Sequence, residues 1–86
     1  MKKTIAIIGC GNLGSAIAKG ILEKSSDKYN VIATRNKVEL LTPLQALGVE
    51  VSNNNIDAVA KSEIILLAVK PYLVATILNE IKNVLN

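Results

Sequence analysis

The sequence predicts an α/β fold, a parallel sheet covered by helices on both faces, and three observations predict it. Short apolar runs alternate with helix-patterned segments along the chain. The first run enters a G-x-G-x-x-G turn at Gly9, Gly11 and Gly14, which opens directly into a helix pattern. Half of the 86 residues are hydrophobic, yet Tyr29 and Tyr72 are the sole aromatics. The core is therefore aliphatic, as in sheets buried on both faces. Right-handed crossovers between the runs give a doubly wound, Rossmann-type sheet of four strands in the order 3-2-1-4. A complete dinucleotide fold has about six strands, so this sheet is expected to be incomplete.

Residues 4–8 form the first strand. Over residues 12–24, Leu13, Ile17 and Ile21 recur at a four-residue spacing and mark one apolar face of a helix. Gly20 interrupts that helix at a cost of about 1 kcal/mol relative to Ala, for which close approach to the sheet is the expected compensation. Ser25, Ser26 and Asp27 are turn material, and residues 30–34 make the second strand. Thr42, Pro43 and Gln45 read as N-cap, N1 and N3 of a capping box, and Gly48 closes the short helix over 43–47. Residues 48–51 lead into a third strand. Asn53, Asn54 and Asn55 supply turn and N-cap chemistry for a helix over 56–60. Residues 63–69 hold the most apolar run and are expected to be a central strand. Pro71 then starts a last helix with Leu73, Ile77, Ile81 and Val84 or Leu85 on one face. No repeat, linker or low-complexity tract divides the chain, so residues 1–86 read as one domain.

The glycine turn carries the chemistry. Gly9 permits the tight turn, Gly11 lets the backbone approach a pyrophosphate, and Gly14 allows the helix to pack closely on the strand. Ile8, Cys10, Asn12 and Leu13 complete this loop, and the helix behind it aims free N–H groups and a positive dipole end at the phosphates. The competing reading is a glycine-rich turn of purely structural use. About 20 residues further on, NAD enzymes carry an acid for the ribose 2′-hydroxyl; here the zone holds Thr34, Arg35 and Asn36. Arg35 offers a fork suited to a phosphate, and Lys37 adds positive charge. NADP(H) is therefore expected over NAD(H), with an ordinary exposed loop cation as the other reading of Arg35. Ala68, Val69, Lys70 and Pro71 end the fourth strand at the carboxyl edge, where open α/β sheets bind ligands. Lys70 either touches a phosphate or an anionic substrate, or faces solvent ahead of the proline. Cys10 lies near a helix N-terminus, where a thiolate would be stabilised; it is read instead as a small filler of the turn, not a nucleophile.

Composition excludes several classes. Without histidine the chain can build neither a Ser-His nucleophile nor a His-ligated metal site, and neither a metal site nor a catalytic residue is expected in it. The net charge of +3 is spread over scattered lysines with no stacking aromatics, which argues against a nucleic-acid partner. No apolar run nears the ~20 residues of a membrane span. Lys2 and Lys3 lead into a strand and not into a secretory leader. One cysteine without a pairing partner suits a reducing, cytoplasmic setting.

With these residues in place, the chain resembles the amino-terminal domain of pyrroline-5-carboxylate reductases. The matching pieces are the run from Ile7 to Gly14, Ala18-Lys19-Gly20, Thr34-Arg35, Asn55 and Ala68-Val69-Lys70-Pro71, in register over essentially the whole chain. The resemblance implies hydride transfer from NAD(P)H to the C=N bond of 1-pyrroline-5-carboxylate, an imine, giving L-proline. It also implies that the loop from Gly9 to Gly14 holds the pyrophosphate and that Arg35 holds the adenosine phosphate. Asn55 would line the adenosine side, and residues 68–71 the approach to the nicotinamide. Enzymes of that family have a second, helical domain that forms an intertwined dimer and most of the substrate pocket. None of it lies within these residues, so the chain is expected to be a piece of such an NADP-dependent oxidoreductase, inactive alone and a homo-oligomer only with that domain. Pro43 also interrupts a helix that is often longer in the family. Two other readings stay open: a stand-alone, non-catalytic NADP(H)-binding module, and a related reductase acting on another imine, a β-hydroxy acid or a deazaflavin.

Overall fold

A computed structural model describes residues 2–84. Strands β1 (Lys3–Ile8), β2 (Tyr29–Thr34), β3 (Glu50–Ser52) and β4 (Ile64–Leu67) form one parallel sheet in the order β3-β2-β1-β4. Helices α1 (Asn12–Ser25), α2 (Thr42–Gln45), α3 (Asn55–Ala60) and α4 (Val74–Ile81) alternate with them. The predicted Rossmann-type architecture and strand order are both present.

Alternation along β1 sends successive side chains to opposite faces and so builds two cores. Ile5 and Ile7 pack with Val31, Ala33, Ala18, Leu41 and Leu44 on the face covered by α1 and α2. Ala6 and Ile8 pack with Ile32, Ala58, Val59 and Ile81 on the face covered by α3 and α4. Burying each such isoleucine is worth about 1.5–3 kcal/mol, so β1 anchors both layers at once.

Several local expectations need correction. In α1 Ile17 and Ile21 pack half-buried against the core, as their spacing predicts, beside the buried Gly14 and Ala18, whereas Leu13 is 67% exposed. Gly14 and Ala18 are small and let the helix axis come close to the sheet. Gly20 is not compensated by such an approach: a Cβ there would meet nothing within 4 Å.

The capping box at Thr42 does not form. A 3-10 turn at Val38–Leu41 runs straight into α2, so helical backbone already precedes Thr42, whose hydroxyl donates to the Glu39 carbonyl at 2.8 Å. The far end behaves as expected: Gly48 has φ +102, and the Val49 and Gly48 amides donate to the Leu44 and Gln45 carbonyls, both at 3.1 Å. The residue 63–69 run forms β4, shorter than expected at Ile64–Leu67. Among the described residues β4 pairs with β1 alone, and all four of its residues are half-buried.

The last helix begins later than its proline. Lys70 is extended (φ −62, ψ 147), as a residue before proline must be, and a 3-10 turn at Pro71–Leu73 precedes α4. Of the expected face, Ile81 is buried, Ile77 and Val84 are half-buried and Leu73 is exposed; Leu85 lies outside the described residues. No helix in the described residues is long and apolar enough to cross a membrane.

Candidate functional site

The carboxyl ends of the strands open into one cleft of about 810 Å³. It lies where the chain reverses its direction of travel across the sheet, with β2 on one side of β1 and β4 on the other. The loops leaving such a switch point diverge and make room for a ligand.

The floor of the cleft is the turn after β1. Gly9 has φ +74, a left-handed conformation that glycine adopts without strain, and a Cβ there would collide with Val69. The turn is pinned from β2. The Gly9 amide donates to the Thr34 hydroxyl at 3.2 Å, and the Cys10 amide to the Thr34 carbonyl at 2.7 Å. Gly14 sets the height of α1: a Cβ on it would stand 3.1 Å from both Cys10 Sγ and Ile7 Cγ2, and 3.3 Å from Ala68.

Gly11 is the N-cap of α1 and offers no side chain to it, and no acidic residue occupies the first turn. The leading N–H groups of a helix have no partner inside it, and here they add to the positive end of a 14-residue helix. A Cβ on Gly11 would meet nothing within 4 Å, so this backbone lies bare. That is an anion cradle. Arg35, Lys37 and Lys70 stand on the surrounding wall, and no Asp or Glu lines it. The Arg35 amide donates to the Ser52 carbonyl at 3.1 Å, which fastens the tip of β2 to the end of β3. Across from it, Asn54 caps α3 by accepting the Asp57 amide at 3.0 Å. Asn55 lines the cleft, and its Nδ2 donates to Glu80 Oε1 on α4 at 3.0 Å.

A family model described as NADP oxidoreductase, coenzyme F420-dependent, matches residues 4–86. The chain belongs to this family. Its resemblance to pyrroline-5-carboxylate reductases holds as well: it is 37% identical over 79 residues to pyrroline-5-carboxylate reductase 1 of Dictyostelium discoideum, covering 91% of this chain and 14% of that protein. Among solved structures, an imine reductase variant from Myxococcus stipitatus in complex with NAD+ has a TM-score of 0.82 at 31% identity, over 98% of this chain and 29% of that one. A pyrroline-5-carboxylate reductase from Coxiella burnetii has a TM-score of 0.87 over 98% of this chain and 32% of that one; at 24% identity it speaks for the fold alone. The chain spans between 14% and 30% of the length of the curated relatives it matches.

Within this family member, the cleft brings together most residues that the sequence singled out. Gly9, Gly11, Asn12 and Leu13 line it from the glycine turn, and Thr34, Arg35 and Asn36 from β2. Asn55 joins from α3, and Ala68, Val69 and Lys70 from the end of β4. Ile8, Cys10 and Gly14 are buried beneath it and shape it through backbone and packing, while Pro71 is exposed outside the wall. Sequence reasoning passed over Leu40, Tyr72, Leu73 and Ile77, and read Asn53 as turn chemistry although it too lines the cleft. Tyr72 and Leu40 are 74% and 52% exposed, and beside Pro71, Leu73 and Leu41 the sequence gives no local signal that sets them apart.

Cys10 is fully buried, and burial pushes its thiol above the ordinary range. A contact with the Ser15 hydroxyl and the charge of Arg35 offset this only in part. The thiolate that a helix N-terminus would favour is therefore not formed near neutral pH, and Cys10 is a packing residue. Among the described residues no cluster of His, Cys, Asp and Glu could hold a metal ion.

Proposed function

We propose that residues 1–86 are the NADP(H)-binding domain of a pyrroline-5-carboxylate reductase. The observation that carries this reading is one cleft in which the uncapped N-terminus of α1 meets Arg35 with no carboxylate on the wall.

The residues fit a dinucleotide bearing a 2′-phosphate. The bare backbone at Gly11 and the leading N–H groups of α1 suit a pyrophosphate. Arg35, with Thr34 and Asn36 beside it, suits the adenosine phosphate, where an acidic side chain would instead select NAD(H). Asn55 serves the adenosine side; Ala68, Val69, Lys70 and Pro71 serve the nicotinamide side. When bound, the reduced nicotinamide supplies the hydride that converts the C=N bond of 1-pyrroline-5-carboxylate into L-proline. This chain's residues bind and orient; none of them is assigned a catalytic role. Hydride transfer needs both reactants held in near-attack geometry, and we assign the substrate pocket, together with any homo-oligomer contact, to a second domain. The lone buried thiol suits a reducing cytoplasm, and no nucleic acid or membrane partner enters this reading. A second reading, the same cofactor domain serving another imine, draws support from the likeness to the Myxococcus stipitatus imine reductase at 31% identity.

Calorimetric titration tests the cofactor assignment. NADPH is expected to bind more tightly than NADH, with an advantage that shrinks in high salt as the charge of Arg35 is screened. Equal affinities would overturn the 2′-phosphate assignment, and failure to bind either would overturn the cofactor reading. Robust turnover of pyrroline-5-carboxylate by this chain alone would overturn the assignment of the pocket to a second domain.

A further inference from the structure

We infer that Glu80 is a positioning residue: it acts through Asn55 to present a hydrogen-bond acceptor to the adenosine half of the bound dinucleotide. The inference rests on the cofactor reading above and deepens it.

Asn55 opens α3 on the wall of the cleft, and Glu80 lies on α4 behind it. The two meet side chain to side chain, Asn55 Nδ2 donating to Glu80 Oε1 at 3.0 Å. Among the described residues this is the one polar partner of the Glu80 carboxylate, which takes part in neither of the ion pairs. The contact is not what holds the two helices together, because Ala58, Val59 and Ile81 already do so in a buried apolar cluster.

An ionised carboxylate accepts hydrogen bonds and cannot donate them. It therefore fixes which end of the Asn55 amide faces α4, and that end is the NH2 group. The carbonyl Oδ1 is left as the free acceptor of a residue that lines the cleft. What it can take is a neutral donor, a ribose hydroxyl or the adenine amino group, and not a phosphate oxygen. Glu80 itself does not line the cleft, so its effect on binding passes through Asn55.

The test is calorimetric titration of the full chain and its N55A, E80A, E80Q and N55A/E80A variants with NADPH and NADH. E80A is expected to weaken both nucleotides alike, by about three- to tenfold, because the adenosine donor is common to them. E80Q can donate as well as accept and no longer fixes the amide end, so its affinity is expected to fall between those of wild type and E80A. Adding E80A to N55A is expected to cost nothing further, as for two residues acting as one unit. The hypoxanthine analogue of NADPH, which lacks the amino group, distinguishes the donors: the E80A loss persists with it if a ribose hydroxyl is bound and vanishes if the amino group is. Wild-type affinity in E80A, or losses that add in the double variant, would overturn the inference alone. A wild type that binds neither nucleotide would overturn the cofactor reading beneath it as well.

Discussion

Thr34 holds the Gly9 turn with its own hydroxyl, which accepts the Gly9 amide at 3.2 Å from a side chain that is 1% exposed. Thr34→Val keeps the shape and removes the acceptor, leaving a half-buried N–H without a partner. The expected loss is about 1–3 kcal/mol of stability, read as a lower urea midpoint, together with weaker binding of NADPH and NADH alike. An unchanged midpoint would show that water replaces the hydroxyl at no cost.

Arg35 should separate the two cofactors where Thr34 does not. Replacing Arg35 by Asp removes a charge-assisted contact worth about 1.5–3 kcal/mol, so NADPH affinity is expected to fall by roughly ten- to hundredfold. NADH affinity should hold or improve. Equal losses for both nucleotides would contradict a contact to the 2′-phosphate.

Gly9 and Gly20 make opposite predictions for the same substitution. Gly9→Ala forces a side chain into φ +74 and against Val69; strain of this kind costs about 1–3 kcal/mol, and the cradle should lose its nucleotide affinity. Gly20→Ala adds a methyl group to open space inside a helix and should stabilise by about 0.5–1 kcal/mol. Thermal midpoints moving in opposite directions would bear out both; a fall with Gly20→Ala would mean that α1 tolerates no Cβ there.

The buried thiol gives a pH signature. Burial raises the Cys10 pKa in the folded protein, so its contribution to stability is fully present below the ordinary thiol pKa and is lost as pH rises through the folded value. Urea midpoints of wild type should therefore fall more steeply in alkali than those of a C10A variant, compared each with its own value at pH 7. Parallel profiles would mean that Cys10 titrates as it does in the unfolded chain.

Much of this was legible in the sequence because it is local. The turn glycines, the Gly48 cap and the short apolar runs each act within a few residues and mark the alternating elements, to which the right-handed crossover adds the strand order. What escaped has a different physical origin. Gly14 and Ala18 are the buried positions of α1 because they are small, and they leave almost no hydrophobic signal beside Ile17 and Ile21, which pack on the same core. The Asn55–Glu80 pair joins residues 25 apart on different helices, and no spacing rule announces it. Thr42 had the pattern of a cap but lost the role to the 3-10 turn ahead of it.

β1 precedes the other described strands in sequence and is paired on both sides, with Val31 beside Ile5 on one flank and Ile64 on the other. Its second flank therefore stays bare until the chain beyond residue 64 has been made. At about 5–20 residues per second, a nascent chain carries the whole glycine motif for several seconds before Val69 arrives to seat against Gly9. A chain stalled on the ribosome short of that point would carry the glycine turn without the Val69 that packs on it. The glycine turn is made long before the residue that packs against it.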